Sequence, residues 1–249
     1  MEKLRVLAQQ YEIQSENIQK LRQLEGFETI IVCDDSGSMS TVVDTPMNDP
    51  YARTKTRWDE LCRSVTIITE LATSLDPNGV DVYFLNRPPI YGVTTAQQIQ
   101  EAFSYPPQGL TPTVQALNRV FQEKAAAIRE KKVLLILATD GEPTTPTGAV
   151  NIPEFKAWVA NRPSNLFMSV LVCTDDDATV AYLNAMDKSM KNFDVVDDYK
   201  SEREEARRAK GPSFPFSFGD YLVKVMLGSI DPAFDNLDES TSSGCCTLL

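Results

Sequence analysis

The sequence predicts an α/β protein with a doubly wound, mostly parallel central sheet and helices on both faces. Short apolar runs alternate with stretches of helical apolar spacing along most of the chain, which is typical of such sheets. The run at residues 133–138 is apolar without interruption, as expected for a strand that is covered on both faces. A length of 249 residues is suited to one large domain with extra pieces at its ends.

The first predicted element is a helix over residues 3–25. Its apolar residues recur at intervals of three and four, with an interruption at Gln14. We interpret it as a helix packed on the domain that follows, while a coiled-coil dimer is the alternative. We assign the N-terminal helix to residues 1–26, the main domain to residues 27–230 and a flexible, Ser-rich tail to residues 231–249.

Strands and helices then follow in turn through the main domain. Apolar runs predict strands at 27–33, 80–86, 90–94, 133–139, 166–174 and 193–197. Helical spacing predicts helices at 57–75, 95–103, 114–130, 152–161, 177–190 and 217–229. In the last helix, Ser217 and Asp220 have the spacing of a capping box. The highly charged stretch at 199–211 is interpreted as a solvated helix or linker.

Composition excludes several classes of function. The formal net charge is −11, and no Lys/Arg-rich stripe offsets it, which argues against a nucleic-acid partner. The absence of histidine excludes Ser-His-Asp and Cys-His catalysis and His-ligated zinc. Five cysteines without a CxxC pair, a polar N-terminus and the lack of a membrane-length apolar run indicate a reduced, cytoplasmic protein.

Polar side chains follow the first strand, and more of them occur at two later points of the predicted sheet. Asp34, Ser36 and Ser38 come directly after the apolar run, Thr111 lies in a loop before a helix, and Asp140 follows the 133–139 strand. Ligands bind at the carboxyl ends of strands in such sheets. Two carboxylates and three hydroxyls form an oxygen-only set that suits Mg²⁺, Mn²⁺ or Ca²⁺ and disfavours zinc or copper.

The same residues carry a resemblance to a known family. The stretch DDSGS at 34–38, with Thr111 and the triplet TDG that ends at Gly141, resembles the metal-ion-dependent adhesion site of von Willebrand factor A (VWA) domains. The resemblance extends over roughly residues 27–228 and implies a Rossmann-like VWA fold. It also implies a divalent cation, Mg²⁺ before Mn²⁺ or Ca²⁺. Asp35 occupies the variable position of the pattern and is assigned no role.

The resemblance further implies a role for each ligand. Ser36 and Ser38 would bind the metal directly through their hydroxyls. Thr111 and Asp140 would bind directly or through water, and Asp34 mainly through water and hydrogen bonds. An Asp or Glu carboxylate of a partner protein would complete the coordination sphere.

The function expected from this set is a metal-dependent protein-interaction module without enzymatic activity. A metal-dependent hydrolase resembling a phosphatase is one alternative, since carboxylates and Mg²⁺ serve such enzymes too. The chain has no DxD nucleophile pair after the first strand and no P-loop or dinucleotide glycine motif. A scaffold with a purely structural metal is a second alternative.

A cationic rim is predicted beside the metal site. The polar loop from residue 41 to residue 56 leads from the first strand to the next helix, and Arg53, Lys55 and Arg57 lie in it or just beyond it. We expect these side chains to help select an acidic partner. The alternative is a solvated loop in which the cations pair with nearby acids.

The last four residues, Cys-Thr-Leu-Leu from Cys246, fit the C-a-a-X signal for prenylation, and a terminal Leu indicates a geranylgeranyl group. Cys245 is available for a second lipid, which matters because one chain anchors a protein only marginally. The expectation is attachment to the cytosolic face of a membrane. An ordinary disordered tail is the alternative.

Overall fold

A computed structural model describes residues 2–44 and 54–235 of the chain. The strands are β1 (Glu28–Cys33), β2 (Val42–Asp44), β3 (Lys55–Thr56), β4 (Val80–Phe84), β5 (Ile90–Val93), β6 (Val133–Thr139), β7 (Leu166–Val172) and β8 (Phe193–Val196). The helices are α1 (Glu2–Gln10), α2 (Ser15–Leu21), α3 (Arg57–Leu75), α4 (Ala96–Phe103), α5 (Thr113–Glu123), α6 (Ala125–Glu130), α7 (Ile152–Asn161), α8 (Asp177–Asp187), α9 (Tyr199–Lys210), α10 (Phe218–Leu227) and α11 (Pro232–Asp235).

The central sheet has six strands in the order β5-β4-β1-β6-β7-β8. All neighbouring pairs are parallel except β4 and β5, which are antiparallel. This arrangement confirms the prediction of a mostly parallel α/β sheet. Strand β1 lies inside the sheet, where Cys33 is in register with Phe84 of β4 and with Ala138 of β6. The carboxyl ends of β1, β4 and β6 therefore meet at one edge.

Helices cover both faces of this sheet because its inner strands are apolar on both sides. Ile30 and Val32 enter one core, whereas Ile31 and Cys33 enter the other, as the alternation of side chains along a strand requires. Helices α5, α7 and α8 cover the first core, and helices α3, α4 and α10 cover the second. The continuous apolar run of β6 is buried at every position, as predicted.

The N-terminal segment forms two short helices where the sequence predicts one. The chain turns between α1 and α2, where Glu12 has a φ of 55° and Gln14 is extended. The Gln14 amide donates to the Asp220 carboxylate over 2.9 Å, and this bond satisfies a backbone group that a continuous helix would have used internally. Leu4 and Leu21 are buried in the core beneath α3 and α10.

Helix α10 begins with the predicted capping box between Ser217 and Asp220 and contacts its neighbours very closely at two glycines. A Cβ atom added to Gly228 would lie 1.9 Å from Oδ2 of Asp194. One added to Gly219 would lie 2.3 Å from the carbonyl oxygen of Tyr11. Neither position has room for a side chain.

The charged stretch predicted as a solvated helix or linker is helix α9, and one of its acidic side chains is buried. Glu202 is 3% exposed, and its carboxylate accepts a hydrogen bond from Lys224 of α10 over 2.6 Å. A charge that is removed from water requires such a partner. The periodic burial of Glu202 and Ala206 is obscured in the sequence by the charged residues around them.

No helix within the described residues combines the length and the apolar character needed to span a membrane. The predicted lipidation sites, Cys245 and Cys246, lie outside the described residues.

Candidate metal site

The carboxyl ends of β1 and β6 bring together two acidic residues that are distant in sequence. The Asp34 amide donates to the carbonyl oxygen of Ala138 over 2.9 Å, so strand pairing continues to the end of β1. Asp140 is the residue directly after the end of β6. Asp34 is 0% exposed and Asp140 is 3% exposed, so both residues are buried at this edge.

Two local hydrogen bonds orient the Asp34 carboxylate. Oδ1 accepts from the amide of Ser36 over 2.9 Å, and Oδ2 accepts from the hydroxyl of Thr139 over 2.8 Å. Burial raises the pKa of the Asp34 carboxyl to about 6, although the bonds from Ser36 and Thr139 partly oppose that rise while the negative charge of Asp140 adds to it. A positive charge nearby would favour the ionised form of Asp34.

A chain of hydroxyls connects the two strand ends. Oγ of Ser36 lies 3.0 Å from Oγ of Ser38, and the Ser38 hydroxyl donates to Oδ1 of Asp140 over 2.8 Å. The 3₁₀ turn at Gly37–Ser40 directs Ser38 back toward β6. Hydrogen bonds therefore connect four of the five predicted ligands in one series: Asp34, Ser36, Ser38 and Asp140.

The fifth predicted ligand, Thr111, lies in a loop whose backbone is held against the end of β1. The Gly37 amide donates to the carbonyl oxygen of Gly109 over 3.2 Å. The carbonyl oxygen of Thr111 accepts from the amides of Thr113 over 2.7 Å and Thr144 over 2.8 Å. These bonds connect the loops after β1 and β6 with the start of α5, and Thr111 is buried at 8% exposure.

Asp35 has a structural role that the sequence did not reveal. Its carboxylate accepts from the amide of Asn86 over 2.8 Å and from its side chain over 3.0 Å, and from Nε of Arg87 over 2.8 Å. Its carbonyl oxygen accepts the Gln108 amide over 2.7 Å. Asp35 therefore joins the loop after β4 and the loop before Thr111 to the end of β1. The polar pair Asn86-Arg87, directly after the neighbouring strand, is the sequence signal for this contact.

The three residues of the predicted rim lie in different environments. Arg57 is the first residue of α3, where its guanidinium donates through Nη1 to Oδ2 of Asp140 over 2.9 Å and through Nη2 to Oγ1 of Thr174 over 2.7 Å. The Arg57 side chain is 14% exposed, and its buried Nε has no hydrogen-bond acceptor among the described residues. Lys55 is exposed on β3, and Arg53 lies outside the described residues.

The donor set is chemically suited to a hard divalent cation. It offers carboxylate and hydroxyl oxygens without nitrogen or sulfur, as Mg²⁺, Mn²⁺ and Ca²⁺ prefer. Over residues 2–44 and 54–235, no group of three or more Asp, Glu or Cys side chains is arranged to hold a metal ion. A metal bound at this edge would need hydroxyl oxygens, such as those of Ser36 and Ser38, beside the two carboxylates.

No protein-family model matches the chain, and no curated protein matches it significantly.

Proposed function

We propose that the chain is a VWA-type interaction module that binds a divalent cation and, through it, an acidic group of a partner protein. Asp34, Ser36, Ser38, Thr111 and Asp140 would hold the ion, with Mg²⁺ expected before Mn²⁺ or Ca²⁺. When bound, the cation supplies a Lewis-acidic centre for an Asp or Glu carboxylate of the partner. No catalytic turnover is part of this proposal.

The observation that carries the proposal is the hydrogen-bonded series from Ser36 through Ser38 to Asp140. It places hydroxyl oxygens and a carboxylate from two separate segments at the edge where parallel sheets bind ligands. Asp34, fixed by Ser36 and Thr139, supplies a second carboxylate at the same place. A turn that served only to end β1 would not require a partner more than 100 residues away.

Metal binding is tested by titrating the protein with Mn²⁺ and Mg²⁺ in a calorimeter. We expect saturable binding by the wild type and a loss of at least tenfold in affinity for Asp140→Ala and for Ser38→Ala, since each removes a proposed ligand. Glu101→Gln changes an exposed carboxylate of α4 and serves as the matched control. Equal affinity in all four proteins would contradict the proposal.

Partner binding is tested by capture from a cell extract with Mg²⁺ or with EDTA. Proteins that bind the wild type in Mg²⁺, and that are lost both in EDTA and with Asp140→Ala, are the expected partners. Incubation of the purified protein with Mg²⁺ and a phosphomonoester tests the hydrolase alternative. Turnover that disappears with Asp140→Ala would contradict a pure interaction module. Loss of thermal stability in EDTA without loss of captured partners would indicate a structural metal.

A further inference from the structure

One side chain in the candidate site is already a cation. Arg57 contacts Asp140 through an ion pair of 2.9 Å, and Thr174 fixes the other end of its guanidinium. The Asp140 side chain is 0% exposed in this pair, so water screens the attraction much less than at a surface. The positive charge of Arg57 therefore acts on the same carboxylate that is expected to hold the metal.

We propose that Arg57 is an internal counter-cation that opposes divalent-ion binding at Asp140 and so sets the affinity of the site for its metal. This inference rests on the proposed function, because it assigns the residue that tunes the same site. Arg57 is a tuning residue in this proposal and is not itself a ligand.

Charge balance supports an opposing role. Ionised Asp34 and Asp140 carry two negative charges, which a divalent ion neutralises alone. With Arg57 present, the occupied site has one positive charge in excess, and like charges that share one carboxylate repel each other. The excess charge weakens metal binding and at the same time favours an anionic partner over a neutral one.

An orienting role for Arg57 is the competing explanation, since bonds to a ligating carboxylate often strengthen metal binding. The geometry disfavours it. Oδ1 of Asp140 is held independently by the Ser38 hydroxyl, and Arg57 bonds to Oδ2. Removing the guanidinium leaves the bond to Ser38 in place, so the electrostatic effect is expected to dominate over the loss of orientation.

The guanidinium also has the local features of a group held for its charge. Its Nη1 and Nη2 are fixed by Asp140 and Thr174, so the positive charge is held beside the carboxylate. The backbone of Arg57 is fixed at the first turn of α3, because Thr56 and Asp59 form a capping box there. The Arg57 amide also donates to Thr41 over 3.0 Å, which joins α3 to the loop after β1.

The test compares Arg57→Gln, which removes the charge, with Arg57→Lys, which keeps it but cannot bridge Asp140 and Thr174. Mn²⁺ affinity is measured by calorimetry, and the melting temperature is measured in EDTA and in saturating Mg²⁺. We expect Arg57→Gln to bind Mn²⁺ about five- to tenfold more tightly than the wild type. In EDTA, Arg57→Gln should melt at a lower temperature than the wild type. Saturating Mg²⁺ should raise its melting temperature by more than it raises that of the wild type. Arg57→Lys should stay within about twofold of the wild-type affinity.

Arg57→Ala in millimolar methylguanidinium is a second variant, used because Arg57→Gln could fold poorly. The added cation should weaken Mn²⁺ binding by the variant and leave the wild type unchanged. Tighter binding by Arg57→Gln supports the inference, and where Arg57→Gln does not fold, weakening of Arg57→Ala by methylguanidinium supports it. Weaker or unchanged binding by Arg57→Gln, while the wild type binds Mn²⁺, would overturn the inference alone. Absence of Mn²⁺ binding by the wild type and every Arg57 variant would overturn the proposed function and this inference together.

Discussion

Two adjacent aspartates at the end of β1 have different surroundings although they share residue type and burial. Asp34 accepts from Ser36 and Thr139 at the candidate metal site. Asp35 accepts from Asn86 and Arg87 on the side of β4. Asp34 is therefore bonded to the end of β6, and Asp35 is bonded to the segment after β4.

Replacement of Asp35 by Ala should destabilise the fold by about 3 kcal/mol. The change leaves the Arg87 guanidinium, which is 21% exposed in its side chain, without its anionic partner and leaves the Asn86 amide without its acceptor. Urea unfolding followed by circular dichroism measures the difference. Asp34→Asn is the matched control, because it retains hydrogen-bonding atoms beside Ser36 and Thr139. A loss for Asp35→Ala no larger than for Asp34→Asn would contradict the structural role.

The ligand pattern was accessible from sequence because it depends on residue type and on position after a strand. Asp34, Ser36, Ser38 and Asp140 meet because β1 and β6 are neighbours in the sheet, whereas the alternation of elements predicted only that they share one edge. The contacts of Arg57 and Asp35 could not be predicted in the same way. Each depends on which rotamer reaches across two loops. The pair Asn86-Arg87 after β4 signals a polar contact in the sequence but does not specify Asp35 as its partner.

At the scale of elements, Asp220 connects the first turn of α10 with the N-terminal segment. Its carboxylate caps α10 together with Ser217, accepts the Gln14 amide over 2.9 Å and accepts from the Asn17 side chain over 2.8 Å. A single buried carboxylate therefore satisfies donors at the start of two helices. This shared acceptor also explains why the chain breaks between α1 and α2.

Asp220→Ala should cost about 2–4 kcal/mol, whereas Ser217→Ala should cost about 1 kcal/mol. The larger loss is expected because Gln14 and Asn17 also lose their acceptor. Limited digestion with a Glu-specific protease adds a local readout at Glu12 and Glu16, where Asp220→Ala should be cleaved faster. Equal cleavage and equal stability in the two variants would show that Asp220 acts only as a helix cap.

Most strands and helices of the main domain were predictable, because the spacing of apolar residues differs clearly between a strand and a helix. The break between α1 and α2 was not, because a surface helix with one polar interruption has nearly the same pattern as two short helices. The burial of Glu202 was also hidden. Its contact with Lys224 is a tertiary interaction between α9 and α10 and leaves no periodic signal in a charged stretch.

At the scale of the whole molecule, the two cores share the strands of one sheet and should unfold together. The two tryptophans report on opposite faces. Trp58 is 6% exposed and stacks on Phe103 with ring centroids 4.1 Å apart, and Trp158 packs at the edge of the other core. We expect Trp58→Phe and Trp158→Phe proteins each to show one urea transition, identical by fluorescence and circular dichroism.

Separate transitions would contradict this expectation. If the remaining tryptophan of either variant changed before the circular dichroism signal, the corresponding face would unfold independently. The comparison is made within each variant, since Trp58→Phe alters a buried contact and shifts the midpoint itself. Coincidence in both variants would show that the site at the end of β1 and β6 exists only in the fully folded molecule.

Gly219 in the first turn of α10 and Gly228 directly after its last residue have a consequence for motion of that helix. Gly219 meets the backbone at Tyr11, and Gly228 meets the carboxylate of Asp194, without space for a Cβ at either point. Displacement of α10 along its axis by one turn, about 5.4 Å, would bring Lys224 or Val225 to the place of Gly228. Both residues have side chains, so α10 cannot slide stepwise past β8. A slide of α10 by one turn toward its C-terminal end would therefore require the helix to lift away from the sheet.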